Sequence, residues 1–136
     1  KKMGRVFFNT RKDITALDGA HTVLASESGK TFMLSATGGT VAITLPTTLE
    51  KGLHYKFVVK ENTPSNAITI AAGSAIIDLV MKDAGGNASN STAGTAVSNL
   101  IIGTSAEQGD YINMFTDGTT WYAECLSGID NALTTS

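Results

Sequence analysis

The sequence is poor in the residues that support metal sites and disulfide frameworks. Its 136 residues include one cysteine, Cys125, and two histidines, His21 and His54. A single cysteine excludes an internal disulfide, and we expect Cys125 to be a small hydrophobe of the core. The two histidines have no Cys, His or acidic partners at the spacing of a zinc site. The sequence therefore predicts no metal site and no cofactor.

Motifs for common catalytic machinery are absent as well. The chain has no G-x-S-x-G turn for a serine nucleophile, no G-x-G-x-x-G fingerprint and no phosphate-binding loop. A glycosidase needs two carboxylates that meet in space, but the candidate acids are scattered, and we expect them on the surface. These acids are Asp78, Asp83, Asp110, Asp117 and Glu124. We therefore predict that the protein is not an enzyme and has no catalytic residues.

Charge is sparse and unevenly placed. Only 16% of the residues are charged, and the formal net charge is −2. Residues 1–12 hold five basic residues and no acid, whereas residues 13–136 hold five basic and twelve acidic residues. The basic segment is either a solvated tail or an arm that reaches an acidic partner. Nucleic acid is the weaker partner, because the acidic body would repel phosphates.

Long hydrophobic runs are missing too. No stretch approaches the roughly 18 apolar residues of a membrane-spanning helix, so no membrane partner is expected. Hydrophobic residues nevertheless make up 42% of the chain. A single domain of this size buries about two-thirds of the surface of its unfolded chain, which is enough for a core without disulfides.

The most legible element is residues 109–125, GDYINMFTDGTTWYAEC. Two β-favouring runs flank Asp117-Gly118, a strong signal for a hairpin with a two-residue turn. In that register Met114 lies opposite Trp121. A three-residue turn is the alternative, and it would shift the register by one and swap the faces of one strand relative to the other; we prefer the two-residue turn because it places the lone Trp with the other apolar residues. One face, with Ile112, Met114, Trp121, Ala123 and Cys125, is predicted to belong to the core. The other face carries Tyr111, Asn113, Phe115, Tyr122 and Glu124.

Short alternating runs separated by turn signals fill the rest of the chain. In the run 53–60, one face carries Tyr55, Phe57 and Val59 and the other carries Lys56, Val58 and Lys60. The two lysines indicate a solvated outer face, which can belong to an edge strand guarded by charge. Further strands are predicted at 21–25, 31–35, 41–45, 68–70, 76–80 and 100–103. No helical period is evident. The pattern predicts an all-β, single-domain antiparallel β-sandwich or barrel, of jelly-roll-like type, over residues 14–128.

Three segments lie outside this pattern of strands. Residues 1–13 form the basic N-terminal arm, and residues 129–136 are predicted to be a polar C-terminal tail. Residues 85–99, rich in Gly, Ser and Asn, cannot bury much apolar surface alone. We expect an ordered loop there that packs against a neighbouring subunit.

Tyr111, Phe115 and Tyr122 are the only aromatic cluster on an outward face. Such a cluster forms a second layer of core, stacks a ligand such as a sugar, or lies in a subunit interface, where aromatic residues are enriched. We take these three residues as subunit-interface candidates.

An ordered series of motifs resembles small virion proteins of tailed bacteriophages, of the kind that decorate the capsid. The series is SGKTFML (28–34), VAITLP (41–46), GLHYKFVVK (52–60), AITI (67–70) and AEQGDYINMFTDGTTWYAE (106–124). Related modules occur in tail fibres and other appendages. The likeness covers roughly residues 14–128 and includes neither the basic arm nor the loop at 85–99.

The resemblance implies a non-enzymatic cement protein on the outer surface of the phage head. It implies a homotrimer that binds the major capsid protein and stabilises contacts between capsid subunits. From the charge and the apolar run of the arm we infer the capsid-contact candidates Arg5, Phe7, Phe8, Arg11 and Lys12. The alternative is a tail-fibre or appendage module that binds a glycan of the host surface.

Overall fold

The computed structural model describes residues 11–73, 75, 77–82, 84, 88–90 and 97–136. Within these residues the chain forms twelve short strands, one 3-10 helix at Ala25–Glu27 and no α-helix. The strands are β1 (Ile14–Leu17), β2 (His21–Thr22), β3 (Thr31–Leu34), β4 (Val41–Thr44), β5 (His54–Val59), β6 (Ile68–Ala71), β7 (Ile77–Lys82), β8 (Ala88–Asn90), β9 (Asn99–Ile102), β10 (Tyr111–Thr116), β11 (Trp121–Leu126) and β12 (Leu133–Thr135). The all-β prediction is confirmed.

The strands form two sheets, a larger one of order β1-β3-β5-β10-β11-β7-β8 and a smaller one of order β12-β9-β6-β4-β2. From β1 to β6 the chain alternates between the sheets, so each strand is followed by one in the opposite sheet. When the chain comes back to a sheet after such a crossing, the new strand runs parallel to the previous strand of that sheet. This holds for the β1–β3, β3–β5, β2–β4 and β4–β6 pairs. The β10–β11 hairpin then lies between β5 and β7.

The prediction of an antiparallel sandwich needs correction in its finer part. Five of the ten strand pairings between described residues are parallel, so both sheets are mixed. A jelly roll is built from antiparallel strands, and the parallel winding departs from that order. Alternation of side chains is the same in both kinds of pairing, which is why the sequence pattern does not distinguish them.

One core lies between the two sheets. Phe32 of β3 and Phe57 of β5 are fully buried and stack with ring centroids 5.5 Å apart. They share a single hydrophobic cluster with Ile43 and Ile70 of the smaller sheet. Cys125 also lies in this cluster, as predicted, and burial raises the pKa of its thiol to about 12. The arrangement is sandwich-like, with two inner faces packed together.

Strand β5 is central rather than an edge. It pairs with β3 on one side and with β10 on the other, so Lys56 and Lys60 do not guard an edge. The predicted inward face is confirmed, because Tyr55, Phe57 and Val59 are buried. Lysines on a central strand instead mark a sheet face that is open to contact with water or with a partner.

The expected loop and tail contain strands. Within residues 85–99, Ala88–Asn90 forms β8, which pairs with β7, and Asn99 begins β9. The segment predicted as a polar tail contains β12, which pairs with β9 and adds an edge strand to the smaller sheet. Leu133 of this strand is buried. Backbone pairing therefore places Ala88–Asn90, Asn99 and Leu133–Thr135 in the sheets, although the composition of both segments is poor in large apolar residues.

Candidate interface on the larger sheet

The candidate site is the face of the larger sheet that points away from the core. Strands β5, β10, β11 and β7 alternate between buried and exposed positions, so every second side chain lies on this face. We call it the outer face. It comprises His54, Lys56, Val58, Asp78, Val80, Lys82, Tyr111, Asn113, Phe115, Tyr122, Glu124 and Leu126.

The hairpin that builds the centre of this face has a four-residue loop, 117–120. Thr116 pairs with Trp121, and Met114 pairs with Ala123. The predicted two-residue turn is therefore wrong, and its register is off by two positions. A shift of two leaves every side chain on its predicted face, because the side-chain period of a strand is two. Both predicted faces of the hairpin are confirmed.

Asp117 closes this loop with its side chain. Its Oδ1 accepts hydrogen bonds from the backbone N–H groups of Thr119 (2.8 Å) and Thr120 (2.9 Å) and from the Thr119 hydroxyl (2.8 Å). Gly118 has a φ of 103°, which the turn needs and glycine tolerates. The hydrogen bonds from Thr120 and Thr119 lower the pKa of Asp117 to about 2. The loop is thus held by a carboxylate rather than by a tight two-residue turn.

Phe115 and Tyr122 form an aromatic pair next to this loop. They lie directly opposite each other in the ladder, and their rings stack with centroids 5.2 Å apart and an interplanar angle of 19°. The Tyr122 hydroxyl donates to Asp117 Oδ2 at 3.2 Å. That hydrogen bond to the carboxylate raises the pKa of Tyr122. The stack is therefore fixed at its hydroxyl end, while Phe115 remains 55% exposed.

Tyr111 connects a cation and an anion on the same face. The Lys56 Nζ lies 4.5 Å from the centroid of the Tyr111 ring, a cation–π contact. The Tyr111 hydroxyl donates to Glu124 Oε1 at 3.1 Å, and this hydrogen bond raises the pKa of Tyr111. Both charged groups are held in place without neutralising each other directly.

Apolar side chains are exposed beside these polar contacts. Among the described residues, five large hydrophobic side chains are exposed, and three of them, Val80, Phe115 and Leu126, belong to the outer face. Their exposed fractions are 56%, 55% and 41%. Exposed apolar residues gathered on one face and bordered by polar ones are typical of protein contact sites or ligand grooves.

Two grooves cross the outer face. One, of about 660 Å³, lies over β10, β11 and β7, and Asp78, Phe115, Tyr122 and Glu124 contribute to its lining. The other, of about 330 Å³, lies over β5 and β10, and its polar lining includes Lys12, Lys30, His54 and Lys56. The lining of these two grooves is therefore basic on the β5 side of β10 and acidic on the β11 and β7 side, while Lys82 at the end of β7 lies outside the lining of the larger groove.

The nearest approach to a catalytic pair is His54 with Ser28, and its geometry does not suit nucleophilic catalysis. The Nδ1 of His54 lies 3.1 Å from the Gly52 carbonyl oxygen, which can only accept, so this contact is a hydrogen bond in the tautomer that carries the proton on Nδ1. Protonated Nδ1 cannot take a proton from the Ser28 hydroxyl 3.4 Å away. Ser28 Oγ instead accepts from the His54 backbone N–H at 3.1 Å.

Of the candidate acids, four belong to the described residues, and two of these share a groove. Asp78 and Glu124 both line the larger groove, but Glu124 is exposed and accepts from Tyr111. A glycosidase acid is instead held in an apolar pocket. Asp110 and Asp117 serve turns at opposite ends of β10, and Asp83 lies outside the described residues. Within the described part of the chain, no group of three His, Cys, Asp or Glu side chains is placed to hold a metal ion.

The predicted site residues fall into two groups. Tyr111, Phe115 and Tyr122 lie together on the outer face. Of the arm candidates, Arg11 and Lys12 are exposed and precede β1, and Lys12 reaches the smaller groove. Arg5, Phe7 and Phe8 lie outside the described residues.

Sequence reasoning missed Asp78, Val80 and Leu126 as members of this face. Their own strands carry the alternating pattern that places them outward. The alternating pattern does not predict the order of the strands in the sheet. Strand β7 is far from β11 in sequence, yet the two strands pair in parallel.

Comparison with known proteins adds no identification. The chain matches no protein-family model, and no curated protein is significantly similar to it in sequence. None of the described residues belongs to a helix long and apolar enough to cross a membrane.

Proposed function

We propose that this protein is a structural virion protein of a tailed bacteriophage, a cement protein on the outer surface of the capsid. The observation that carries the proposal is the outer face, where exposed apolar side chains lie beside charges that are already held in position. This composition suits a protein contact, because interfaces are enriched in aromatic residues and gain specificity from complementary charge. The resemblance supplies the class of partner, the major capsid protein, and a homotrimeric assembly.

The basic arm is the proposed contact with the capsid. Arg11 and Lys12 are exposed and directly precede the edge strand β1. We assign the capsid contact to Arg5, Phe7, Phe8, Arg11 and Lys12. The arm would supply cations and apolar side chains to an acidic surface, and the acidic body would stay outside the lattice.

A cement role needs many copies more than it needs one tight site. A rigid body that contacts adjacent capsid subunits resists their separation when internal pressure pushes them apart. Repeated weak contacts on a lattice add through multivalency. A body with two sheets packed on one core meets the demand for rigidity.

The test is occupancy on purified heads. A variant that lacks residues 1–12 should leave the body folded and should bind heads lacking the protein far less than the full chain does. Glu50→Lys combined with Lys51→Glu is the matched control, because it alters two charges on a loop of the body. Unchanged occupancy of the truncated variant would overturn the arm assignment. A location at the tail, in few copies, would overturn the cement role.

The second candidate is a tail-fibre or appendage module that binds a host glycan. The larger groove favours it, because aromatic, acidic and amide side chains line this groove together. Against it, one face of each ring is already covered, since Phe115 and Tyr122 stack on each other and Lys56 lies over Tyr111. A glycan array that gives a signal with the wild type and loses it with Tyr122→Ala would support this candidate. An array without signal would reject it.

A further inference from the structure

We propose that the outer face pairs with the outer face of a second copy of this chain, about a two-fold axis that runs parallel to β10. This pairing specifies the protein contact that was proposed above for the outer face. It rests on the proposed function only in treating this face as a surface that contacts protein. It names the partner, the orientation and the pairs of residues that meet.

The register of three neighbouring strands provides the geometry. Asn113 of β10 lies between Lys56 of β5 and Glu124 of β11 in one row across the sheet. In the next row, Tyr111 lies between Val58 and Leu126. Within the outer face, the three strands β5, β10 and β11 thus have β10 as their midline, with an opposite charge at the same height on each side, and β7 lies outside this symmetric part.

A two-fold rotation about an axis along this midline exchanges the two sides of the face. Lys56 of one copy then faces Glu124 of the other, and the same contact occurs twice because the interface is isologous. Val58 faces Leu126 by the same rotation. Phe115, on the midline, faces Phe115. Charge meets opposite charge, and apolar side chains meet apolar side chains.

The other two-fold arrangement of the same faces is disfavoured by charge. An axis across the strands would place Lys56 on Lys56 and Glu124 on Glu124. Like charges brought together in an interface oppose association and exclude the wrong orientation. The charge pattern therefore selects the axis parallel to β10.

The side chains of Lys56 and Glu124 are already held in position in the single chain. Lys56 lies against the Tyr111 ring, and Glu124 accepts the Tyr111 hydroxyl, so both charges are ordered before a partner arrives. Side chains already fixed lose less entropy on binding. The two strands that carry these residues are about 10 Å apart, with β10 between them.

The size of the face sets the expected strength. Three strands about 4.8 Å apart and three outward rows about 6.8 Å apart cover roughly 14 by 20 Å. This footprint is below the roughly 800 Å² per partner of a standard stable interface. We therefore expect a weak pair in solution. A three-fold contact joins two different patches, so a trimer would use another surface, and the two contacts can coexist.

A charge exchange tests the pairing directly. Sedimentation of the full chain from about 1 µM to about 1 mM should show concentration-dependent pairing. Lys56→Glu and Glu124→Lys should each weaken it by about ten-fold or more, because each creates two like-charge contacts per pair. The double variant Lys56→Glu/Glu124→Lys should restore pairing, since the rotation again sets opposite charges at positions 56 and 124 against each other. Glu50→Lys/Lys51→Glu is the control for altered surface charge.

Each outcome decides the proposal. A wild type that does not pair, single variants that pair like wild type, or a double variant that fails to recover would overturn it. A wild type that forms only a trimer, with no further pairing that these substitutions weaken, would also overturn it. Circular dichroism and urea unfolding identify any variant that fails to fold, and Asn113→Asp then serves as a second probe, because it places two acids together on the midline.

Head binding separates this proposal from the cement role. If Lys56→Glu no longer pairs yet still occupies heads, both proposals stand. If the wild type is monomeric and Lys56→Glu fails to occupy heads, the face contacts the capsid instead of a second copy. Binding of a glycan that competes with pairing would assign the face to a sugar.

Discussion

Phe115 stacks on Tyr122 across the β10–β11 ladder, with ring centroids 5.2 Å apart, on the face of the sheet that points away from the core. The pair belongs to the surface, although Phe is usually a core residue. Its aromatic rings are available to a partner because the inner face of the same strands already fills the core.

This placement predicts unequal costs for two phenylalanine substitutions. Phe115→Ala should lower the free energy of unfolding of the dilute protein by only about 0.5–1.5 kcal/mol, the value of an aromatic pair. Phe57→Ala, at a fully buried position, should lower it by about 3–5 kcal/mol. Urea denaturation followed by tryptophan fluorescence measures both. Equal losses would mean that Phe115 belongs to the core.

The sequence predicts which face of a sheet a side chain occupies better than it predicts which strands lie side by side. Alternation alone places Tyr55, Phe57 and Val59 inward, and they are buried. Both predicted faces of the hairpin are also right although the register is off by two, because an even shift conserves the face. Alternation is a local property of an extended chain, so it survives errors in pairing.

Strand order and direction depend on contacts between distant residues. Lys56 suggests an edge strand, yet β5 is central, because β10 pairs with it from far along the chain. Composition assigns Leu133 to a tail, but it pairs with Ile102 of β9. The outer face could therefore be predicted only in part: Tyr111, Phe115 and Tyr122 share one hairpin, whereas Val80 joins them through a parallel pairing.

Trp121 combines full burial with an unsatisfied donor. Its side chain is 0% exposed, packs 5.9 Å from the Tyr55 ring, and its Nε1 has no hydrogen-bond partner among the described residues. Trp121→Ala should cost about 3–5 kcal/mol of unfolding free energy. Trp121→Phe should cost clearly less, because it removes a buried N–H whose lack of a partner costs about 1–3 kcal/mol. Urea denaturation followed by circular dichroism compares them, and equal costs would contradict this account.

Asp110 joins two loops through one buried carboxylate. It accepts from the Ser127 hydroxyl at 2.7 Å, from the Gly128 N–H at 2.8 Å and from the Glu107 N–H at 2.9 Å. Asp110→Ala should destabilise more than Ser127→Ala, because it removes the acceptor of the Glu107 and Gly128 N–H groups, each worth about 1–3 kcal/mol when buried, whereas the Ser127 hydroxyl also reaches the Ile129 carbonyl oxygen at 3.1 Å. The double variant should cost less than the sum, and a double-mutant cycle measures the coupling. Additive costs would show that the two residues act independently.

The hairpin loop should respond to acid through Asp117. Its folded pKa of about 2 lies below the ordinary value of 3.8, so its contribution to stability is present above about pH 4 and is lost as the pH falls to about 2. Asp117→Asn keeps an oxygen acceptor for the loop N–H groups and should remove this part of the pH dependence. Thermal unfolding between pH 2 and 5 measures it, with Asp18→Asn, on the turn between β1 and β2, as the control. An unchanged pH profile in Asp117→Asn would contradict the assignment.

Cys125 should react with thiol reagents only when the protein unfolds. The residue is buried on the inner face of β11, and burial raises the pKa of its thiol to about 12, with the Glu124 charge adding to the shift. The thiolate is the nucleophile, so both its scarcity and its inaccessibility slow the reaction. Labelling by iodoacetamide at pH 8 should therefore be slow in native protein and complete in urea. Trp121→Ala should raise the rate of labelling in proportion to the fraction of molecules in which the core is open, because the same core covers the side chains of Trp121 and Cys125. Rapid labelling of the native wild type would place Cys125 in contact with solvent and would contradict the inward face of β11.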